Sequence, residues 1–206
     1  NYEFVNVNVS GASGASTPNA NGDTTVTYNA GNQVVNYYYR RKNAANITVH
    51  HYIDGTTTEL YTPAGSTTPS AVVIDGSGKL GTTENLTNKA ADIDNYEYVG
   101  IDVSGANTAT TPTATGNTTL THSTTAQTVI YKYRRKNAGN ITVNHYEVGT
   151  TTQLYKPTGS ATPAAENFNG TGKLGLTESL TNKAADIDNY EFVNVNVSGA
   201  SGASTP

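Results

Sequence analysis

The chain has 206 residues, a formal net charge of −4, 14% charged and 35% hydrophobic residues, and no cysteine, methionine or tryptophan. The acidic balance argues against a general nucleic-acid binder or an anionic-membrane binder, because both need a basic electrostatic footprint. Disulfides are excluded, and no run approaches the roughly 18 apolar residues of a membrane-spanning helix.

In chain order, the first segment already sets the organisation. Asn1-Tyr2-Glu3 returns as Asn95-Tyr96-Glu97 and as Asn189-Tyr190-Glu191, a period of 94 residues, and residues 189–206 reproduce residues 1–18 letter for letter. A repeat of this size is large enough to be a domain, unlike the units of roughly 20 to 50 residues that must stack to bury a core. The expectation is a window cut from a tandem array, with no signal peptide inside it. Although Thr, Asn, Ala, Gly and Ser dominate, 14 tyrosines and regular Val and Ile alternation predict a folded chain.

Val34 to Arg41 places Val35, Tyr37 and Tyr39 on one face, and its copy, Thr128 to Arg135, places Val129, Tyr131 and Tyr133 there. Period-two alternation of this kind predicts a strand. Asn46 to Ile53 predicts another, with Ile47, Val49, His51 and Ile53 facing together. Turn residues follow at Asp54-Gly55, then a short strand beginning at Glu59-Leu60-Tyr61. From Pro63 to Gly81 the composition predicts a long surface loop with one edge strand near Ala71 to Ile74. Leu86 to Ile93 is the one segment suited to a short helical turn, capped by Thr87 or Asn88. Asn95 to Val103 returns to strand, with Val99, Ile101 and Val103 facing one way, and Thr118 to His122 leads back toward Thr128. The same reading makes Tyr190 to Val197 a strand.

Cutting the array at the Arg-Arg-Lys-Asn run gives one complete module at residues 43–136. Residues 1–42 are then the C-terminal part of a preceding repeat, and 137–206 the N-terminal part of a following one. About four residues separate the closing strand at Arg135 from the opening strand at Asn140, too few for a freely flexible linker, so a semi-rigid line of modules is expected. Both end pieces lack strands that the complete module has, so the expectation is that they are frayed unless a neighbouring chain or the continuing array supplies the missing strand.

Ile47-Thr48-Val49-His50-His51-Tyr52, Lys79-Leu80-Gly81, Lys89-Ala90-Ala91-Asp92-Ile93-Asp94-Asn95-Tyr96-Glu97-Tyr98-Val99 and Gln127-Thr128-Val129-Ile130-Tyr131-Lys132-Tyr133-Arg134 together resemble the MucBP (mucin-binding protein) repeats of Gram-positive surface adhesins. Asp94-Asn95 stands where that family usually has Pro-Gly. The resemblance implies a small, mostly β module, similar to a β-grasp and with at most one short helix, repeated in an elongated array along a cell-wall-attached protein that meets mucin or other host glycans.

Three groups of residues are candidate sites. Tyr131 and Tyr133 beside Arg134, Arg135 and Lys136 would set aromatic faces next to cations, a combination suited to sialylated or sulfated sugars; the competing reading is a sheet core with a solubilising strand end. Asp92, Asp94, Asn95 and Glu97 place oxygen ligands at alternating positions that would suit calcium, though the glycine and closing glutamate of an EF-hand are missing and a solvated acidic turn explains them as well. Lys79, Lys89, Glu84 and Asn88 supply the lysine, amide and acid that an isopeptide cross-link needs, if an apolar interior brings them together. The histidines, His50, His51, His122 and His145, single out no catalytic triad, so the chain is read as a non-enzyme that needs no cofactor, calcium at that turn being the one candidate. The expectation is an extracellular adhesin repeat acting as stalk and weak multivalent glycan binder. The alternative is a fibre-forming or scaffold repeat that assembles through its own modules without a glycan ligand.

Overall fold

The computed structural model describes residues 1–60, 71–87, 93–106, 109–154, 165–180, 187 and 189–200. It is mostly β. Ten strands run in the order β1 (Tyr2–Ser10), β2 (Val34–Arg41), β3 (Ile47–Ile53), β4 (Val72–Ile74), β5 (Thr83–Leu86), β6 (Tyr96–Ser104), β7 (Thr118–Thr121), β8 (Gln127–Arg135), β9 (Ile141–Val143) and β10 (Glu166–Phe168), with no helix among the described residues. Two compact units divide the chain, residues 1–134 and 135–206.

In the first unit β4, β3, β8 and β6 form a four-stranded mixed sheet in that order, and β5 pairs with β7 in a second, two-stranded sheet. The first and last strands of the 43–136 segment, β3 and β8, lie side by side and parallel at its centre, in a register that puts Val49 opposite Val129 and His51 opposite Tyr131. Both strands alternate as their sequences require. Ile47, Val49 and His51 from β3, and Gln127, Val129, Tyr131 and Tyr133 from β8, point into the core, where Leu60, Leu86, Ile93 and Leu120 cover them. Tyr131 and Tyr133 are its largest side chains, 0% and 1% exposed. Burying an aromatic side chain of this size stabilises by about 2–3 kcal/mol.

The strands β1 and β2 form a separate antiparallel hairpin, Tyr2 opposite Arg41 and Ser10 opposite Val34, with its register shifted between Phe4 and Asn6. That shift corrects the expected facing of the 94-residue copy. In β6, Val99 is exposed, while Tyr96 and Tyr98 before it and Ile101 and Val103 after it all pack against the core. Strict alternation would set Tyr98 and Val103 on opposite faces. An extra residue between them, as in a β-bulge, returns both to the core side.

Other expectations change in detail. Leu86 closes β5 rather than opening a helix, and residues 88–92 lie outside the described residues. Glu59 forms a single bridge to Tyr52 in place of a strand, and Tyr61 lies outside the described residues. Tyr190 to Val197 is not a strand: beyond a bridge from Ile187 to Tyr190, the segment carries no ladder. Its sequence is that of β1. The difference is the partner, since β1 has β2 beside it and the second unit carries no copy of β2.

Candidate functional site

The short connection Lys42 to Asn46 is held by the glycine-rich segment 76–81 and by Ser123. Ala44 N–H donates to Gly76 O at 2.8 Å, Leu80 N–H donates to Lys42 O at 3.1 Å, and Ala45 N–H donates to Ser123 O at 2.8 Å. Side chains complete the clamp. Asn46 Oδ1 accepts from Gly76 N–H at 3.0 Å and Asn43 Oδ1 from Gly78 N–H at 2.8 Å. Arg41 Nη1, from the end of β2, donates to Leu80 O at 2.8 Å, and its guanidinium lies over the Tyr2 ring, 4.7 Å from the centroid. Gly76 has no room for a side chain: a Cβ there would lie 2.5 Å from the carbonyl oxygens of both Ala44 and Ala45.

Five of these six bonds recur 94 residues on, within the second unit. Arg135 Nη1 donates to Leu174 O at 2.8 Å, Asn140 Oδ1 accepts from Gly170 N–H at 3.0 Å, and Asn137 Oδ1 from Gly172 N–H at 2.9 Å. Ala138 N–H donates to Gly170 O at 2.8 Å and Leu174 N–H to Lys136 O at 3.1 Å. These are the residues that periodicity overlooked, because segment 63–81 has the composition of a loose loop. The available signal was the Asn-x-x-Asn pair and the Gly-x-Gly that recur together at one period.

The five residues proposed for glycan contact do not form one surface. Tyr131 and Tyr133 turn into the core, where His51 stacks on Tyr131 with ring centroids 5.2 Å apart and Tyr131 Oη donates to Gly116 O. Burial, with a smaller contribution from Tyr98, pushes the Tyr131 phenol up to about 12. Alternation sends Arg134 to the opposite face, where it pairs with Glu97 at 2.6 Å. Arg135 is engaged at the Leu174 carbonyl, and Lys136 is exposed. Arg134 is thus on the opposite side of the strand from Tyr131 and Tyr133.

Of the calcium candidates, Asn95 has a positive φ of 65° and sits third in a turn closed by Tyr96 N–H to Ile93 O at 3.0 Å. Pro-Gly is the pair favoured by a turn with this left-handed third residue, and Asn is the best non-glycine substitute. The acidic stretch therefore has a structural cause. Glu97 is committed to Arg134, Asp92 lies outside the described residues, and among the described residues no three histidine or carboxylate side chains gather as metal ligands.

For the cross-link, Lys79 Nζ lies 3.6 Å from Glu84 Oε2, and the corresponding Lys173 lies 3.0 Å from Glu178. Both lysines are partly solvated rather than enclosed by apolar groups. Glu84 also meets the fully buried His122, Nε2 to Oε2 at 3.0 Å, while the Nδ1 of His122 has no partner. Asn88 and Lys89 lie outside the described residues. A shallow recess near Ile141, Phe168 and Leu176 holds about 50 Å³, well under the roughly 300 Å³ at which small-molecule pockets begin.

No family model, no curated protein and no solved structure matches this chain.

Proposed function

We propose that the chain is part of the stalk of an extracellular, cell-wall-attached adhesin of a Gram-positive bacterium, built from tandem 94-residue modules in an elongated array. The observation that carries this reading is the clamp on the connection between repeats, of which five of the six hydrogen bonds recur one period later. A linker whose Ala44 and Ala45 amides are both donated is held in one conformation, as a projecting stalk requires. The absence of cysteine agrees with a protein that gains rigidity from backbone pairing rather than disulfides, and the resemblance to mucin-binding repeats gives the expected setting.

Contact with mucin-like glycans in this reading is weak for each module and gains strength by repetition. It falls to exposed polar and cationic groups such as Lys136 rather than to the buried Tyr131 and Tyr133. No cofactor or catalytic group is assigned. Small-angle scattering on fragments of one, two and three repeats tests the stalk: maximum dimension grows by roughly 30–40 Å per repeat, whereas a constant or irregular increment argues against it. Binding of the same fragments to immobilised sialylated and neutral glycans tests the adhesive half, with apparent affinity rising steeply with repeat number.

A further inference from the structure

We infer that Asn169 is a self-modification site: its side-chain amide converts to an acid through attack by the Gly170 amide nitrogen, at a rate set by opening of the second clamp. This chemistry goes beyond the stalk reading and holds whether or not the modules bind glycan.

Among the differences between the two copies of the clamp, one changes its reactivity. Asp75-Gly76 of the 43–136 module becomes Asn169-Gly170 one period later. The clamp itself imposes the glycine, since a Cβ on Gly170 would lie 2.4 Å from the carbonyl oxygens of both Ala138 and Gly139. A residue without a Cβ also gives its amide nitrogen the freest approach to the side chain before it. Asn-Gly is therefore the step at which an asparagine most readily closes a five-membered ring.

The electrophile is prepared and the nucleophile is held back. Asn169 is exposed, and Thr171 N–H at 3.0 Å and the Thr171 hydroxyl at 2.8 Å both donate to its Oδ1. Two donors on that oxygen stabilise the negative charge that it takes on when Cγ is attacked. Gly170 is buried, and its N–H donates to Asn140 Oδ1 at 3.0 Å. The nitrogen attacks only after giving up that proton, and a bonded amide loses its proton to water when the bond opens, as in hydrogen exchange. The complete module makes the same bond, Gly76 N–H to Asn46 Oδ1 at 3.0 Å, beside an exposed Asp75. The gate thus belongs to the repeat, and the reactive amide to one copy of it.

The step balances with water as the one co-reactant. Gly170 N bonds to Asn169 Cγ, the Cγ–Nδ2 bond breaks, and Nδ2 leaves as ammonia with the proton that Gly170 N gave up. Water then opens the cyclic imide at either carbonyl. Breaking the N–Cγ bond gives an aspartate, the residue type that the other copy has at position 75. Breaking the bond from Gly170 N to the Asn169 carbonyl carbon gives an isoaspartyl linkage, which lengthens the backbone inside the clamp. Asp75 is protected from this route: hydrogen bonds from the Ser77 amide and hydroxyl hold its carboxyl below the ordinary value, and an ionised carboxylate is a poor electrophile. One joint therefore carries a slow, irreversible change that the other lacks.

The test incubates the 206-residue chain at mildly alkaline pH, folded and in urea, and follows position 169 by peptide mass spectrometry with isoaspartyl content as a second readout. Asn140→Ala removes the acceptor of the Gly170 N–H, whereas Asn140→Asp keeps one. Conversion in the folded parent is expected to be at least about ten-fold slower than in urea. Asn140→Ala should recover most of that difference, and Asn140→Asp should stay near the parent. The other Asn-Gly step, Asn21-Gly22, has its amide closed onto Asn19 O at 2.9 Å, outside this clamp, and its rate should respond to neither substitution. In the parent alone, protection of the Gly170 amide against hydrogen exchange should match the slowing at Asn169, which keeps the test decisive if Asn140→Ala fails to fold. Equal rates in the folded parent and in urea, or protection of Gly170 with no slowing at Asn169, overturn the gate. Absence of conversion at Asn169 in urea overturns the site.

Discussion

The Nδ1 of His51 lies 2.8 Å from the hydroxyl of Tyr133, a buried hydrogen bond between side chains 82 residues apart. It ties the first strand of the 43–136 segment to the last, so the segment closes on itself only when β8 is in place. Replacing Tyr133 by Phe removes the hydroxyl from a site that water does not reach. A loss of about 1–2 kcal/mol is expected, read as a lower midpoint in urea with an unchanged slope; an unchanged midpoint means that the bond contributes nothing to the fold.

Asn95, at φ 65°, occupies the left-handed position of the turn that leads into β6. Glycine carries no Cβ penalty there, so Asn95→Gly is expected to stabilise by roughly 0.5 kcal/mol and Asn95→Ala to destabilise by about 1 kcal/mol. Thermal unfolding of the pair checks the order. If alanine proves as stable as glycine, the turn is not constrained as described.

Alternation made β2, β3 and β8 legible in the sequence, because one face of each is largely apolar at every second residue, and β3 and β8 bury that face in the core. It failed at β6, where the extra residue near Val99 resets the facing without any change in composition. It failed again at Tyr190 to Val197, whose letters are those of β1 but whose partner strand is missing. Strand formation is a property of the pair. The residues offered for glycan contact show a different limit: Tyr131 and Arg134 are near neighbours in sequence, yet an odd spacing places them on opposite faces. The clamp was hidden because its donors and acceptors are mostly backbone atoms, which carry no side-chain signature.

Tyr131 gives the alkaline limit of stability. Its phenol is held neutral by burial, up to about 12 against an ordinary value of 10.0. A raised folded-state value means that the contribution is fully present below pH ~10 and is lost as pH rises toward about 12, where the unfolded chain ionises first. The loss expected over that window is about 2–3 kcal/mol. Phenolate absorbance followed together with unfolding checks it, with Tyr131 ionising only as the fold opens. A Tyr131→Phe variant with the same alkaline midpoint as the parent removes Tyr131 as the cause.

Gly76 is the steric centre of the clamp, since a Cβ would meet two carbonyl oxygens at 2.5 Å. Gly76→Ala is expected to cost about 1–3 kcal/mol of local stability and to release the connection without unfolding the sheet of β3 and β8. Limited proteolysis between Lys42 and Asn46 reads this directly: cleavage should appear in the variant and be slow in the parent, and equal rates mean that the glycine is replaceable.

Amide hydrogen exchange at Ala44 and Ala45 tests the clamped connection most directly. Both N–H groups are donated, to Gly76 O and to Ser123 O, each at 2.8 Å, so they are expected to exchange as slowly as the amides of β3, with backbone order parameters near 0.85. Exchange at unprotected rates, with order parameters below about 0.6, would contradict the account and make the repeats beads on a loose string.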